Sequence, residues 1–171
     1  MDISRYLAKS GEKVDLAQWP TACDVDIDKK KVKEELLDQT ITEMQDLQEK
    51  LFADNHYGLV IVLQAMDAAG KDGTVKHVFA RLNPAGVKVQ SFKKPSSEEL
   101  DHDYMWRINK ALPGRGEIGI FNRSHYEEVV VARIHNLIKS DGMPEELVRK
   151  DIWESRYRQI RDWERYLSEN G

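Results

Sequence analysis

Apolar and polar residues recur with two different periods along this chain, and the changes of period predict its elements. Five consecutive apolar residues, mostly β-branched, occupy positions 59–63, and two segments in which apolar residues alternate with other residues occupy 87–92 and 117–122. Such stretches predict strands, and the unbroken run is typical of a strand buried on both faces of a parallel sheet. Elsewhere apolar residues recur three or four positions apart, which predicts helices at residues 29–53, 74–82, 96–112, 129–134 and 144–170.

The order of these elements predicts an α/β fold. One helix precedes the first strand, and helices follow each strand, which is typical of the crossovers that join parallel strands. Residues 1–28 lack a clear period and are interpreted as a peripheral N-terminal arm before a domain at 29–171. A further strand is expected after the last helix, so we expect the sequence to be a truncated version of a longer protein.

The turn after the first predicted strand carries the most informative pattern. It reads Ala65-Met66-Asp67-Ala68-Ala69-Gly70-Lys71-Asp72-Gly73-Thr74. A strand, a turn of small residues with a lysine, and a helix are together typical of a phosphate-binding loop. Backbone N–H groups at a helix start have no partner within the helix, and small residues let a phosphate approach them. The lysine adds a mobile positive charge that can follow a phosphoryl group.

This loop departs from the usual pattern G-x-x-x-x-G-K-[ST] at two positions. Ala65 stands at the first glycine, and Asp72 stands where a Ser or Thr normally meets magnesium. An ordinary strand–helix turn that contains a lysine is the simpler interpretation. Asp67 and Asp72 argue against it, because carboxylates that flank the lysine can hold a hard cation against phosphate oxygens. Either aspartate can instead serve as a helix N-cap.

Composition changes this picture mainly through the distribution of charge. The 171 residues include 26 Lys/Arg and 30 Asp/Glu, and the net charge of −4 by itself disfavours an anionic substrate. Residues 70–123, however, hold ten Lys/Arg against six Asp/Glu, which concentrates positive charge around the loop.

The length fits one domain, and the single cysteine, Cys23, fits a reducing compartment. There is no signal-peptide pattern and no membrane-spanning apolar run, so we expect a cytoplasmic protein without a membrane partner.

Charged residues also follow the other two predicted strands. Lys93 and Lys94 come directly after the second strand, and Arg123 follows the third. Ligands of open α/β folds bind at the carboxyl ends of the strands, so these side chains are expected to join the loop at one site. On their own the two lysines would be solvated surface residues. Several arginines of the last predicted helix either face water or reach a polyanion: Arg149, Arg156, Arg158, Arg161 and Arg165.

Two blocks of the sequence resemble the polyphosphate kinase 2 family. They are the loop at 67–74 and the segment Phe121-Asn122-Arg123-Ser124-His125-Tyr126-Glu127, and the likeness extends over about residues 30–171. The first block is specific, since ordinary phosphate loops do not carry aspartates on both sides of the lysine. The resemblance implies a P-loop kinase-like three-layer sandwich with a parallel sheet and a helical lid at about 136–160, here without its C-terminal strand and helix. It also implies phosphoryl transfer between inorganic polyphosphate and ADP or AMP with Mg²⁺ (or Mn²⁺), in a homo-oligomer.

The resemblance also assigns roles to individual residues. Asp67, Lys71 and Arg123 are the predicted catalytic residues, and their charges suit a reaction that needs positioning and charge neutralisation. Asn122 and Glu127 are predicted to select the nucleotide, and this pair resembles the subgroup that accepts both AMP and ADP. Asp67, Asn122 and Glu127 are predicted metal ligands, and the arginines within 149–161 are expected to close over the substrate. The predicted phosphate-binding residues are Ala69, Gly70, Asp72, Gly73, Thr74, Lys93 and Arg133.

Three functions stay open from the sequence. The first is a polyphosphate-dependent nucleotide kinase that acts on ADP, AMP or ATP, and the second is an ATP-dependent small-molecule kinase of related fold. The third is an inactive fragment that binds polyphosphate or nucleotide. Nucleic-acid binding is disfavoured, because aromatic residues do not interleave with the basic residues as base stacking requires.

Overall fold

The described part of this protein contains one sheet of three parallel strands in the order β1-β3-β2. A computed structural model describes residues 4–19, 36–140 and 142–171. Within them the strands are β1 (Leu59–Leu63), β2 (Val87–Ser91) and β3 (Ile118–Asn122). The α-helices are α1 (Leu37–Asp54), α2 (Lys71–Thr74), α3 (Ser97–Leu100), α4 (Trp106–Lys110), α5 (Val131–Ile134) and α6 (Ile152–Glu169). The predicted α/β class and the parallel sheet are therefore confirmed.

The central strand, β3, divides the apolar core into two clusters. Ile118 and Ile120 belong to one cluster, which residues of α1 and of the segment after α2 cover. Phe121 points to the opposite face, where its ring meets the edge of Phe92 at 5.0 Å between centroids and where Trp163 of α6 packs. Because strand side chains alternate between faces, one buried strand anchors helices on both sides of the sheet. The result is the predicted three-layer sandwich.

Strand β1 is less buried than its unbroken apolar run predicted. Val60 and Val62 pack into one cluster and Ile61 and Leu63 into the other, so both faces contribute to the core. None of these side chains is fully buried, however, and Leu59 is 46% exposed. Among the described strands β1 pairs with β3 alone. The first four residues of β3 are buried instead, because this strand lies between the other two.

The helix after the phosphate loop begins earlier than predicted. It starts at Lys71, three residues before the predicted start, and passes directly into a π-helical turn at Val75–Phe79. The predicted start was too late because Gly70 and Gly73 are present there, and glycine disfavours helix interiors. The early start places the lysine in the first turn, next to the loop that leads from β1.

The long helix predicted at 96–112 is interrupted. Its first turn has the capping box that the sequence predicts, in which Ser96 and Glu99 bond to each other's backbone. After α3 the chain turns at Asp103, whose carboxylate accepts a hydrogen bond from Met105 N at 2.8 Å. Such local side-chain bonds compete with the helix, and here the bond precedes the start of α4.

The helix predicted at 144–170 is also interrupted. A 3₁₀ turn at Glu145–Leu147 is separated from α6, which begins at Ile152. The predicted lid at about 136–160 therefore spans two 3₁₀ turns, of which the first is Leu137–Ser140, and the first half of α6. Its boundaries stay a prediction.

Part of the predicted N-terminal arm lies within the described residues. Residues 4–19 contain two 3₁₀ turns, Ser4–Tyr6 and Leu16–Gln18, and most of their side chains are exposed. Cys23, the end of the arm at residue 28 and the predicted helix start at residue 29 lie outside the described residues. Among the described helices, none combines the length and the apolar character that a bilayer crossing requires.

Candidate phosphate site

The carboxyl ends of the three strands lie level with one another. In the sheet register, Asn122 of β3 pairs with Leu63 of β1 on one side and with Ser91 of β2 on the other. Arg123 N continues this pattern and donates to Leu63 O at 3.1 Å, while Phe92 N donates to Asn122 O at 3.0 Å. The three segments that leave the strands therefore start at one edge of the sheet, where they border a cavity of about 730 Å³.

Most of the predicted site residues line this cavity. Thr74 and Arg133 are not part of its wall: the Thr74 hydroxyl donates to Gly70 O at 3.1 Å, and the Arg133 guanidinium donates to the Tyr157 hydroxyl at 2.8 Å. The roles of these two residues in phosphate binding stay predictions. The predicted residues that do line the cavity are Asp67, Ala69, Gly70, Lys71, Asp72, Gly73, Lys93, Asn122, Arg123 and Glu127.

The loop between β1 and α2 is bent by two residues with left-handed backbone. Gly70 has φ 92°, which glycine adopts without strain, and Ala68 has φ 60°, which is uncommon for a residue with a side chain. A Cβ at Gly70 or Gly73 would meet no other atom within 4 Å, so open space lies beside the backbone at both glycines. This arrangement lets a phosphate approach the backbone, as the sequence pattern requires.

Lys71 is bound to the loop itself. Its ammonium donates to the carbonyls of Ala65 and Met66, both at 2.8 Å. These acceptors are neutral, so they hold the amine in place without cancelling its charge. A phosphate oxygen can therefore replace them with a gain in Coulomb attraction.

Arg123 connects the loop to the end of β3. Its guanidinium donates to the carboxylate of Asp67 and, at 3.2 Å, to that of Glu127. Burial works to lower the pKa of Arg123, but the two carboxylates outweigh it and raise that pKa above its usual value, so the residue stays charged. The Asp67 side chain is 86% exposed, and solvent screening keeps its ion pair with Arg123 weak. An incoming phosphate can therefore displace Asp67 from the arginine.

The other loop carboxylate, Asp72, accepts a hydrogen bond from the Asn122 amide at 2.5 Å. In the described part of the chain, no group of three or more His, Cys, Asp or Glu side chains is placed to hold a metal ion. Mg²⁺ does not require such a group, since it often binds through one or two carboxylates together with phosphates and water. The exposed carboxylates of Asp67 and Asp72 fit this kind of site. Both oxygens of Glu127 already accept hydrogen bonds, and its predicted role as a ligand stays a prediction.

Two buried charged residues of the cavity wall, Arg107 and Glu128, were not predicted as site residues. Arg107 of α4 donates to Lys93 O at 2.8 Å and to the carboxylate of Glu128 at 3.2 Å. Arg107 therefore fixes the backbone of a predicted phosphate-binding residue. The sequence does contain a signal for Arg107, which stands beside the apolar stripe of a predicted helix. Once that stripe is buried, a charged neighbour needs a polar partner.

The structure corrects the prediction for one arginine of the lid. Arg156 is only 1% exposed, and it donates to Glu128 O at 2.8 Å. Its guanidinium also lies over the ring of Tyr104 at 4.6 Å from the centroid. Arg156 cannot close over a polyanion from this position, because its guanidinium is buried and is hydrogen-bonded to Glu128.

These features define the class of the protein. A parallel sheet covered by helices on both faces, with a Gly-Lys loop after β1 and a cavity at the strand ends, is the architecture of a P-loop kinase-like α/β protein. The sequence profile of the family described as Polyphosphate kinase 2 (PPK2) matches residues 26–171. The chain belongs to this family.

Individual relatives agree with the family. An ADP-polyphosphate phosphotransferase of Rhodopseudomonas palustris is 47% identical over 169 residues, which cover 98% of this chain and 58% of that protein. An AMP/ADP-polyphosphate phosphotransferase of Meiothermus ruber is 46% identical over 128 residues, which cover 75% of this chain and 44% of that protein. The crystal structure of Polyphosphate Kinase 2 from Arthrobacter aurescens TC1 superposes with a TM-score of 0.76 at 37% identity, and the match covers 96% of this chain and 56% of that one. The matches thus cover between 44% and 58% of the length of these three proteins, so the chain spans about half of its relatives.

Proposed function

We propose that this chain carries the phosphate site of a polyphosphate:nucleotide phosphotransferase, which moves phosphoryl groups between inorganic polyphosphate and ADP or AMP. The observation that supports this most is the meeting of Asp67, Lys71 and Arg123 at one cavity, although 56 residues of chain separate the first from the last. Relatives that are named polyphosphate phosphotransferases support the choice of substrates.

The geometry suits the chemistry of phosphoryl transfer, which depends on positioning and charge neutralisation. Lys71 exchanges its two carbonyl acceptors for phosphate oxygens and follows the group that moves. Arg123 keeps one nitrogen on Glu127 and turns the other from Asp67 to the phosphate. Lys93, held through its backbone by Arg107, adds positive charge on the β2 side of the cavity. Together they stabilise negative charge as it builds up on the transferred group.

We assign Mg²⁺ or Mn²⁺ to the same cavity as cofactor. Asp67 and Asp72 would hold the ion, with the predicted ligands Asn122 and Glu127 beside them. Bound there, the ion would neutralise phosphate charge and orient the phosphate oxygens. Asn122 and Glu127 are also proposed to select between AMP and ADP, since both line the cavity at the end of β3.

The decisive test is a donor assay on this chain. With long-chain polyphosphate and Mg²⁺, we expect ATP from ADP and ADP from AMP, and we expect Lys71→Ala and Asp67→Asn to abolish turnover. Lys76→Ala is the matched control, because this exposed lysine lies five residues away and outside the cavity wall. Turnover with ATP alone as donor would support the small-molecule kinase instead. Retained polyphosphate binding without any turnover would support the inactive binding fragment.

Assembly and location stay predictions that derive from the family resemblance and the composition. We propose a cytoplasmic homo-oligomer that binds neither membrane nor nucleic acid. Light scattering on the purified chain at several concentrations tests the assembly, and a strictly monomeric mass would contradict it.

A further inference from the structure

We propose that Gln64 is a positioning residue of this site, which holds Glu127 so that Glu127 can aim Arg123 at the transferred phosphoryl group. Gln64 directly follows the last residue of β1 and precedes the phosphate loop. It was not among the predicted site residues and does not line the cavity. The inference rests on the proposed function, because it concerns how the same site is organised.

The contacts form a continuous chain from the core to the cavity. The Ser124 hydroxyl donates to Gln64 Oε1 at 3.2 Å, and Gln64 Nε2 donates to Glu127 Oε1 at 2.6 Å. Arg123 Nη1 donates to the other oxygen, Glu127 Oε2, at 3.2 Å, and Arg123 Nη2 donates to Asp67. Exposure increases along this path: Ser124 is fully buried, the Glu127 side chain is 14% exposed, and that of Asp67 is 86% exposed.

The direction of each bond is determined by chemistry. The Ser124 oxygen already accepts a hydrogen bond from Tyr126 N at 3.1 Å, so its proton is free to point at Gln64. The amide of Gln64 then presents oxygen to Ser124 and nitrogen to Glu127, and a flipped amide would oppose an oxygen to the carboxylate. Glu127 uses one oxygen for the amide and one for the guanidinium. A carboxylate held in this way at both oxygens has little freedom to rotate.

Arg123 needs this support because its other ion pair, with Asp67, is weak. The contact with Asp67 is solvated and is the one that a phosphate would replace. Once it breaks, Glu127 is the remaining described carboxylate that restrains the guanidinium. A rigid second partner keeps the planar fork oriented during the exchange, and this kind of support is what holds catalytic groups in place.

The charged groups around Gln64 predict what a change of charge would do. Glu127 faces it from the 3₁₀ turn His125–Glu128, Arg123 lies at the end of β3, and Lys71 and Asp67 belong to the loop. In Gln64→Glu an ionised carboxylate would oppose Glu127, and both would compete for Arg123.

Two substitutions of Gln64 test the proposal. At pH 8 we expect Gln64→Glu to lower kcat by about thirtyfold, because a charged hydrogen bond is replaced by repulsion. Gln64→Leu removes the donor to Glu127 without adding a charge, and it should lower kcat by about tenfold. KM for polyphosphate should change less than kcat.

A matched control separates this effect from a simple change of charge. Gln39 Nε2 donates to Glu43 at 3.0 Å on the exposed surface of α1, so Gln39→Glu creates the same pair of carboxylates far from the site. This variant should match the native chain in kcat and KM. Equal kcat of Gln64→Glu and the native chain would overturn the proposal.

A second measurement does not depend on turnover. Guanidinium NMR, with Arg123 assigned through Arg123→Lys, should show slow rotation about the Nε–Cζ bond in the native chain and fast rotation in Gln64→Leu. An inactive native chain would refute the proposed function, and this measurement would then still decide whether Gln64 positions Arg123. Unchanged rotation in Gln64→Leu would refute that role.

Discussion

Arg123 combines a demanding backbone conformation with a demanding set of side-chain contacts. Its φ of 66° is left-handed, which for a residue with a side chain costs about 1–3 kcal/mol and occurs mainly at functional sites. Its guanidinium bonds to Asp67 and Glu127 at the same time. A planar fork with several donors can make both contacts, whereas an ammonium on a flexible stem cannot orient them together.

This argument predicts the effect of Arg123→Lys. We expect kcat with polyphosphate to fall by about a hundredfold, as when one charge-stabilising donor is removed from an active site, while the free energy of unfolding changes little. Steady-state kinetics and urea unfolding measure the two quantities. Arg115→Lys, at an exposed arginine outside this cavity, is the control. A lysine variant with native kcat would show that Arg123 acts only as a diffuse positive charge.

His125 predicts a pH dependence of stability. It is 1% exposed, and burial lowers its pKa below the usual value of 6.5, although the contact of Nε2 with Glu164 at 3.4 Å opposes the shift. Below about pH 6.5 the unfolded chain therefore binds a proton that the folded chain does not, and stability falls as the pH falls. Above that pH the effect is absent.

Urea unfolding at pH 7.5 and pH 5.5 tests this prediction. The loss of unfolding free energy between the two pH values should be smaller in His125→Asn than in the native chain. The same change at His135, which is exposed, should leave the loss unaltered. An equal loss in the native chain and in His125→Asn would contradict the prediction.

At the scale of elements, one buried carboxylate connects three segments of the chain. Glu128, at the end of the 3₁₀ turn, contacts Arg107 of α4 at 3.2 Å and Arg156 of α6 at 3.5 Å. The side chains of Arg107, Glu128 and Arg156 are 8%, 11% and 1% exposed, so all three charged groups are buried. Removal of one member of such a group leaves buried charge without its counterpart, which is far more destabilising than the loss of an exposed pair.

We therefore expect Glu128→Ala to lower the free energy of unfolding by about 3–5 kcal/mol. The control is Asp162→Ala, which removes an ion pair with Arg165 between two exposed side chains of α6 and should cost less than about 1 kcal/mol. Urea unfolding measures both. Similar effects of the two substitutions would show that α6 is held by its apolar contacts alone.

The strands were predicted more accurately than the helices. Each predicted strand matches the observed one to within a residue, because apolar runs bounded by turns are local features. The helix at 96–112 was predicted without its break, since the period of apolar residues continues across Asp103 while the carboxylate of that residue bonds to the backbone. A hydrophobic pattern records which face is buried and does not record a competing hydrogen bond.

At the scale of the whole molecule, the charge is distributed asymmetrically. The chain is negative overall, yet residues 70–123 carry an excess of Lys and Arg, and the fold brings Lys71, Lys93 and Arg123 to one cavity. A polyanion that binds there releases cations that were condensed on its own phosphates, so its affinity depends on salt.

Lys93→Ala should reveal this dependence. We expect weaker polyphosphate binding and a slope of log Kd against log salt that is smaller by about one. Isothermal titration at several salt concentrations measures the slope. Lys50→Ala, which removes an exposed lysine of α1 outside this cavity, should leave affinity and slope unchanged. If Lys50→Ala and Lys93→Ala gave the same slope of log Kd against log salt, only the overall charge of the chain would attract polyphosphate.

The lining of the cavity was predicted to the extent that its residues stand next to strand ends. Asp67, Lys71, Asp72, Asn122 and Arg123 lie together there as expected, and their roles stay predictions. Two supporting residues, Gln64 and Arg107, were not predicted. Gln64 looks like an ordinary polar residue after a strand, because its partners are 60 and 63 positions away. Arg156 was misinterpreted for the same reason, because its burial depends on elements far from it in the sequence.

Local physics explains what the sequence determined by itself: the α/β class, the three strands, the phosphate loop and the charges placed after each strand. These follow from apolar periods and from the chemistry of neighbouring residues, which act over a few positions. The tertiary structure alone decided the strand order, the burial of residues 118–121 of β3, the contacts that orient Arg123, and the buried group of Glu128 with its two arginines. Hydrogen bonds and burial depend on distance in space, and that distance is set only when helices on both faces pack against the sheet.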